Sequence, residues 1–357
     1  YWGVYLNDFM RLMGLNWNTN LSFGAFHIDI APIIIVGFFT ALLLFGTKFG
    51  ARVDGAMTIL KIGIVLFVVV VGFFYIKSAN YTPFVPPSEP ANHVQHGELG
   101  GSMAQPLWQW MTHMKPTIYG WSGVISGAAL VFFAFIGFDV VATASEETKN
   151  PKRNVPLGIG VGMLLVIVMY VLVAVVTTGM VSYKQLASVE SPSLATAFEL
   201  VGADWAAEII SFAIVLGLAT VVMVLLLGLT RVVFAMSRDG LLPRAMSKTG
   251  AHGTPAKLQI VVGVIVALVA ACFDISVLSD MVNIGTLSAF TLVALAIPIM
   301  RKKRPDLPRT FKIPGNPWVP LIVAAANLWL MLNLTVLTWI RFLVWLVLGF
   351  IVYFAYS

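Results

Sequence analysis

Residues 125–152, ISGAALVFFAFIGFDVVATASEETKNPK, constrain this chain more than any other stretch. They open as an apolar helix of membrane-core character and then place Asp139 directly after Ile136, Gly137 and Phe138. A carboxylate within roughly 20 apolar residues costs several kcal/mol unless it faces protein or water. Gly137 supplies the backbone freedom that lets a helix stop and restart. The pattern therefore predicts two half-helices, 125–135 and 139–146, with a break at 136–138. Interrupted backbone at bilayer depth is tolerated only where its polar groups line a cavity and meet a ligand. A continuous helix with Asp139 packed against a neighbour is the competing reading of the same residues.

Composition settles the solvent. Mean hydropathy is +0.90, 59% of residues are hydrophobic and 11% are charged, against about 25% charged in a soluble domain. The chain reads as an integral membrane protein, with too many apolar runs for a signal peptide to explain. Spans are expected at 30–46, 54–76, the broken 125–146, 157–181, 205–236, 258–273, 281–300, 319–334 and 342–356. Residues 1–13 read as the trailing end of a further helix whose start is missing. Residues 77–119 form a long polar connection with Pro83, Pro86, Pro87 and Pro90, expected to be an external loop carrying short helices. Gly158 and Gly162 are expected to admit a neighbouring helix at close range.

The net charge of +6 does not indicate nucleic acid, because the basic residues fall in alternate short loops. Lys48, Arg52, Lys149, Lys152, Arg153, Arg238, Arg244, Lys248, Lys257, Arg301, Lys302, Lys303, Arg304, Arg309 and Lys312 share one side. Lys77, Lys115, Lys184 and Arg341 fall on the other. Basic loops face the cytoplasm, so the broken helix is expected to run from outside to inside.

Lys61 is the second intramembrane charge. Burying an ammonium disfavours its charged form, which makes Lys61 a candidate for reversible protonation. Snorkelling is the alternative: from a helix start near Asp54, Lys61 lies roughly 10 Å in, at the limit of a lysine's reach. Gly120-Trp121-Ser122-Gly123 matches the GxSG pattern of intramembrane serine proteases, but no histidine falls inside an apolar span to act as base. The simpler reading is a turn with Ser122 capping the helix. His93 and His96 read as solvated loop residues rather than metal ligands, and the single Cys272 offers neither a disulfide nor a thiolate site. No GxxxxGK[ST] motif points to ATP-driven pumping. Asp239-Gly240-Leu241-Leu242-Pro243 reads as a helix stop.

Several long motifs carry a resemblance. FFAFIGFDVVATASEETKNPKRNVPLGI (132–159) resembles the signature of the cationic amino acid transporter branch of the amino acid–polyamine–organocation superfamily. AMSRDGLLP (235–243), NIGTLSAF (283–290), ARVDGAMTILK (51–61) and RKKRPDLPRTFKIP (301–314) resemble further motifs of that family. The resemblance covers essentially the whole chain. It implies an all-α polytopic protein with the inverted-repeat transporter fold, in which two five-helix repeats each begin with a broken helix. On that alignment 1–13 is the end of helix 3, 30–76 are helices 4–5 and 77–119 is an extracellular loop. Residues 124–300 are then helices 6–10 and 319–356 helices 11–12, in a single transporter domain lacking helices 1–2 and most of helix 3. Such a fragment is expected not to transport.

The resemblance also implies a site. Carbonyls of Phe133, Ala134 and Ile136 would hold the substrate's α-amino group, with Phe133 as an aromatic lid and Gly137 at the break. Asp139 would start the lower half-helix, as its cap or as a sensor of a basic side chain. Lys61 matches the lysine that replaces a sodium ion in related carriers. Ala219-Thr220 stands where two hydroxyl residues are usual, and losing one removes a sodium ligand. Met223 would join the side-chain pocket. Phe135 and Leu229 depart from the tyrosine and glutamine common in the family. The expected function is secondary transport of a cationic or neutral L-amino acid across the bacterial inner membrane, by proton symport. No cofactor and no sodium are expected, and the partners are the amino acid and the lipid bilayer. An exchanger without obligatory proton coupling is the alternative. A membrane-integral enzyme is disfavoured by the lack of intramembrane histidine or paired carboxylates.

Overall fold

The computed structural model describes residues 2–15, 19–23, 26–44, 47–90, 102–115, 117–138, 141, 148–189, 192–244, 255–273, 275–306, 313 and 315–356. The helices, in chain order, are α1 (Trp2–Leu12), α2 (Ile30–Leu44), α3 (Thr47–Phe73), α4 (Leu107–Met111), α5 (Gly120–Val131), α6 (Pro151–Met180) and α7 (Tyr183–Ala187). They continue as α8 (Leu194–Glu199), α9 (Asp204–Arg238), α10 (Ala256–Cys272), α11 (Ile275–Lys303), α12 (Trp318–Leu332) and α13 (Val336–Tyr356). Strands β1 (Asn20–Phe23) and β2 (Phe26–Asp29) form an antiparallel hairpin, and β3 (Glu89–Pro90) pairs with β4 (Thr117–Ile118).

Among the described residues, five stretches, Gly55–Phe73, Pro151–Met180, Asp204–Arg238, Ile275–Lys303 and Val336–Ala355, are long and apolar enough to cross a membrane. Shorter apolar helices stand at Ile30–Leu44, Gly120–Phe135, Ala256–Cys272 and Trp318–Leu332. Among the described residues each expected span has its helix, apart from the lower half of the broken one, 139–146, most of which lies outside them. The ends differ where polar residues were read as stops. α13 begins at Val336, so Arg341 lies inside its second turn, where a long cation reaches the interface from within a helix. α3 begins at Thr47, well before Asp54.

The chain forms two compact units. The first comprises Tyr1–Phe84, Gly158–Phe273 and Tyr356–Ser357. Its organising element is α9, which buries one side against its neighbours and leaves an apolar stripe that includes Ile209, Phe212, Val221, Leu225 and Leu229 exposed. α1, α2, α3, α8 and α10 all pack against it, and α2 packs along α10. One core gathers Val68, Val176, Met180, Phe198 and Ile210; a second gathers Ile35, Val36, Phe39, Leu43, Met223 and Leu226. The hairpin delivers α2 with a cap: Asp29 Oδ1 accepts from the Ala31 N–H at 3.0 Å.

Close approach depends on a glycine other than the two expected. A Cβ on Gly158 or Gly162 would meet no atom of the described residues within 4 Å, and both are exposed. At Gly263 of α10 a Cβ would land on the Thr40 hydroxyl of α2 and stand 2.7 Å from its Cγ2. Gly263→Ala should therefore overpack this contact by about 1–3 kcal/mol. The expected readout is an unfolding midpoint lower by several degrees in detergent, whereas Gly158→Ala leaves it unchanged.

The second unit comprises Val85–Leu157 and Asp274–Ala355. Ala129, Ile284, Leu287, Met331 and Leu334 form its core, bringing α5, α11 and α12 together. The connection before α5 is tied to the α12–α13 turn. Trp108 Nε1 donates to Asn333 Oδ1 at 2.9 Å, and backbone bonds join Leu107 N–H to the Leu334 carbonyl and Val336 N–H to the Gln105 carbonyl. The short helices expected within 77–119 are α4 and the 3₁₀ turns Ser78–Tyr81 and Ser102–Ala104.

Candidate functional site

The apolar helix α5 does not run through. After Val131 it tightens into a 3₁₀ turn, Phe132–Phe135, and stops at Ile136, whose φ of −68° and ψ of 135° are extended. Gly137 follows with φ of +130°, a backbone conformation that L side chains rarely adopt. The break thus falls where Gly137 predicts it. Ile136 N–H donates to the Phe133 carbonyl at 3.2 Å. Phe133, Ile136 and Gly137 are half-buried and Ala134 is exposed. Of the expected lower half-helix, 139–146, Asp139, Val140 and residues 142–146 lie outside the described residues, as do His93 and His96.

The start of α5 corrects one expectation. The helix begins at Gly120, with Tyr119 as its cap and no side-chain capping bond. Ser122 is therefore inside the first turn, where its hydroxyl donates to the Tyr119 carbonyl at 3.3 Å and lies 3.0 Å from Thr117 Oγ1. The backbone explains the shift. A Cβ at Gly120 would stand 3.0 Å from Ser88 Cβ, and only a glycine lets the chain turn into the helix there.

Helix α11 holds the break from one side. The Phe290 ring lies 6.0 Å from that of Phe132 and 5.1 Å from that of Phe138, so one side chain touches both edges of the interruption. Two turns earlier, Asn283 is fully buried and its Nδ2 donates to the Leu130 carbonyl at 3.4 Å, in the last turn of α5. Neither residue was singled out from the sequence. A signal existed: they begin and end the NIGTLSAF motif, and seven residues put them on one helical face with Leu287 between.

In the first unit, Lys61 lies half-buried on α3 with its stem across α9. A Cβ at Gly217 would stand 3.5 Å from Lys61 Cγ and 3.6 Å from its Cε. Thr220, one turn on and 3% exposed, donates its hydroxyl to the Gly217 carbonyl at 2.9 Å. Lys61 and Thr220 thus meet the same glycine, which sequence reading missed. Met223, 3% exposed, sits in the apolar core with α2 residues Ile35, Val36, Phe39 and Leu43; that packing accounts for its burial without a ligand. The stop after α9 is as read: Gly240 has φ of +85°, Leu241 N–H donates to the Met236 carbonyl, and Ser237 Oγ donates to the Pro243 carbonyl at 2.6 Å.

The chain is a helical protein with several spans apolar enough to cross a membrane and one apolar helix that stops at Ile136, and at membrane depth such backbone must be buried in protein or line a cavity. Comparison with known proteins narrows the class. The sequence model of the family described as "Amino acid permease" matches residues 4–355, and the chain belongs to that family, one of permeases rather than enzymes. It is 39% identical over 364 residues to the branched-chain amino acid permease BcaP of Bacillus subtilis (strain 168), covering 100% of this chain and 71% of that protein. It is 36% identical over 339 residues to the methylthioribose transporter of the same organism, covering 95% of this chain and 66% of that protein. The vacuolar cationic amino acid transporter 4 of Arabidopsis thaliana is 33% identical over 280 residues, covering 78% of this chain and 42% of that protein.

Proposed function

We propose that the chain forms most of a secondary carrier that imports an L-amino acid with a proton across the plasma membrane, by alternating access. The observation that carries this reading is the interruption of α5 at Ile136 and Gly137. The C-terminal end of α5 faces the interruption with the negative pole of its macrodipole, about half an elementary charge, which favours a cation. An α-ammonium supplies that charge and three N–H donors. We assign the carbonyls of Phe133, Ala134 and Ile136 as its acceptors, Phe133 as the lid, and Asp139 as the start of the lower segment. An inverted-repeat fold is supported by the pairing of α1 with α9 and of α2 with α10, which would be equivalent helices of the two repeats.

Lys61 is the proposed coupling group. A lysine that gains and loses its proton changes the charge beside Gly217 and Thr220, and so biases how α3 and α9 pack; a tethered amine that takes up a proton there stands in for a sodium ion. The loops after α2, the α5 segment, α9 and α11 face the cytoplasm in this reading, following the basic residues.

The test is uptake by proteoliposomes carrying the full-length protein, with labelled L-leucine and L-lysine in parallel. An inward proton gradient should drive accumulation of one of the two. Equal counterflow with the gradient collapsed, and no gradient-driven accumulation, would replace symport by exchange. Uptake of neither, nor of any other L-amino acid, would end the reading.

A further inference from the structure

We infer that Asn283 supplies a side-chain acceptor for the substrate's α-ammonium at the interruption of α5, an inference that rests on the transport reading above. Asn283 is 0% exposed. One branch of its carboxamide is used, Nδ2 donating to the Leu130 carbonyl at 3.4 Å. The other branch, Oδ1, is buried and has no hydrogen-bond partner among the described residues. A buried amide oxygen left unmatched loses its water without return, so native structures keep few of them, and each calls for a reason.

Among the described residues no donor meets it. Ile284 and Leu287 on the same helix and Ala129 on α5 are wholly buried apolar neighbours in one core. Phe290, on the same face as Asn283, lies between the rings of Phe132 and Phe138. The missing N–H or O–H must then come from a molecule that enters. Its chemistry follows from the position. Leu130 is in the last turn of α5, so Asn283 stands where the helix end concentrates carbonyl oxygens and negative potential. A cation rich in N–H donors gains there from both effects, while a water molecule gains only from the first. Among the parts of an amino acid, that describes the ammonium and excludes the carboxylate.

A purely structural role for Asn283, holding Leu130, predicts something different from an acceptor role. The experiment measures competition against the labelled amino acid that the full-length protein takes up, L-leucine or L-lysine, by that amino acid and by its matching 2-hydroxy acid. The hydroxy acid keeps the shape and carries one neutral donor in place of the ammonium. Asn283→Ala should weaken the amino acid about tenfold to a hundredfold, the worth of a hydrogen bond to a charged group, and the hydroxy acid by no more than about threefold. Asn283→Asp, which keeps an acceptor oxygen, should restore the preference. Equal weakening of both ligands, or wild-type binding of the amino acid by Asn283→Ala, would overturn the inference and leave transport intact. If Asn283→Ala does not fold, Asn283→Leu, close in size and without a polar side-chain atom, carries the same ratio test. Failure of the wild-type protein to bind any L-amino acid would instead remove the transport reading beneath it.

Discussion

Gly137→Ala should cut initial uptake at least tenfold while the protein still reaches the membrane and elutes as a single species. The added methyl meets no atom of the described residues within 4 Å, so crowding is not the cause. The cost is conformational: Gly137 has φ of +130°, a region an L residue enters only with about 1–3 kcal/mol of strain. Alanine relieves that strain by resuming the helix, which it favours over glycine by up to about 1 kcal/mol. Both terms act against the interruption, and every 1.4 kcal/mol is about a factor of ten in its population. The measurement is labelled uptake beside size-exclusion elution and the unfolding midpoint. Uptake at the wild-type rate would mean that the interruption is not where the substrate is held.

Lys61→Met should abolish proton-driven accumulation, by at least tenfold, and leave counterflow of the same amino acid in place. Methionine keeps an unbranched stem over Gly217, where Lys61 Cγ and Cε now lie, and removes only the titrating ammonium. Lys61→Ala removes the stem as well, so the comparison of the two variants separates packing from charge. Loss of pH dependence in both assigns coupling to the ammonium. A Lys61→Met protein that accumulates substrate with the wild-type pH profile would exclude Lys61 as the coupling group.

The membrane spans were legible because they depend on a local property, a run of apolar side chains long enough to cross hydrocarbon. Their ends were less so. Arg341 and Asp54 look like borders in the sequence but lie inside helices; for Arg341 the reason is a long side chain that carries its charge to the interface. The GxSG motif misled by one turn because the cap was judged from Ser122, while the space at Ser88 and the positive φ of Gly120 set where the helix begins.

By itself the sequence determined the solvent of this protein and the order of the apolar helices among the described residues, and it marked the place where one could stop. Each follows from covalent neighbours: hydrophobic length, a glycine, a carboxylate. Only the tertiary structure decided what stands beside those features. It laid Lys61 over Gly217, set Met223 in an apolar core, left Gly158 and Gly162 exposed, and brought Asn283 and Phe290 to the interruption. The physical reason is that a glycine or a buried amide specifies a vacancy or an unmet bond, and its partner is chosen by packing between helices far apart in the chain.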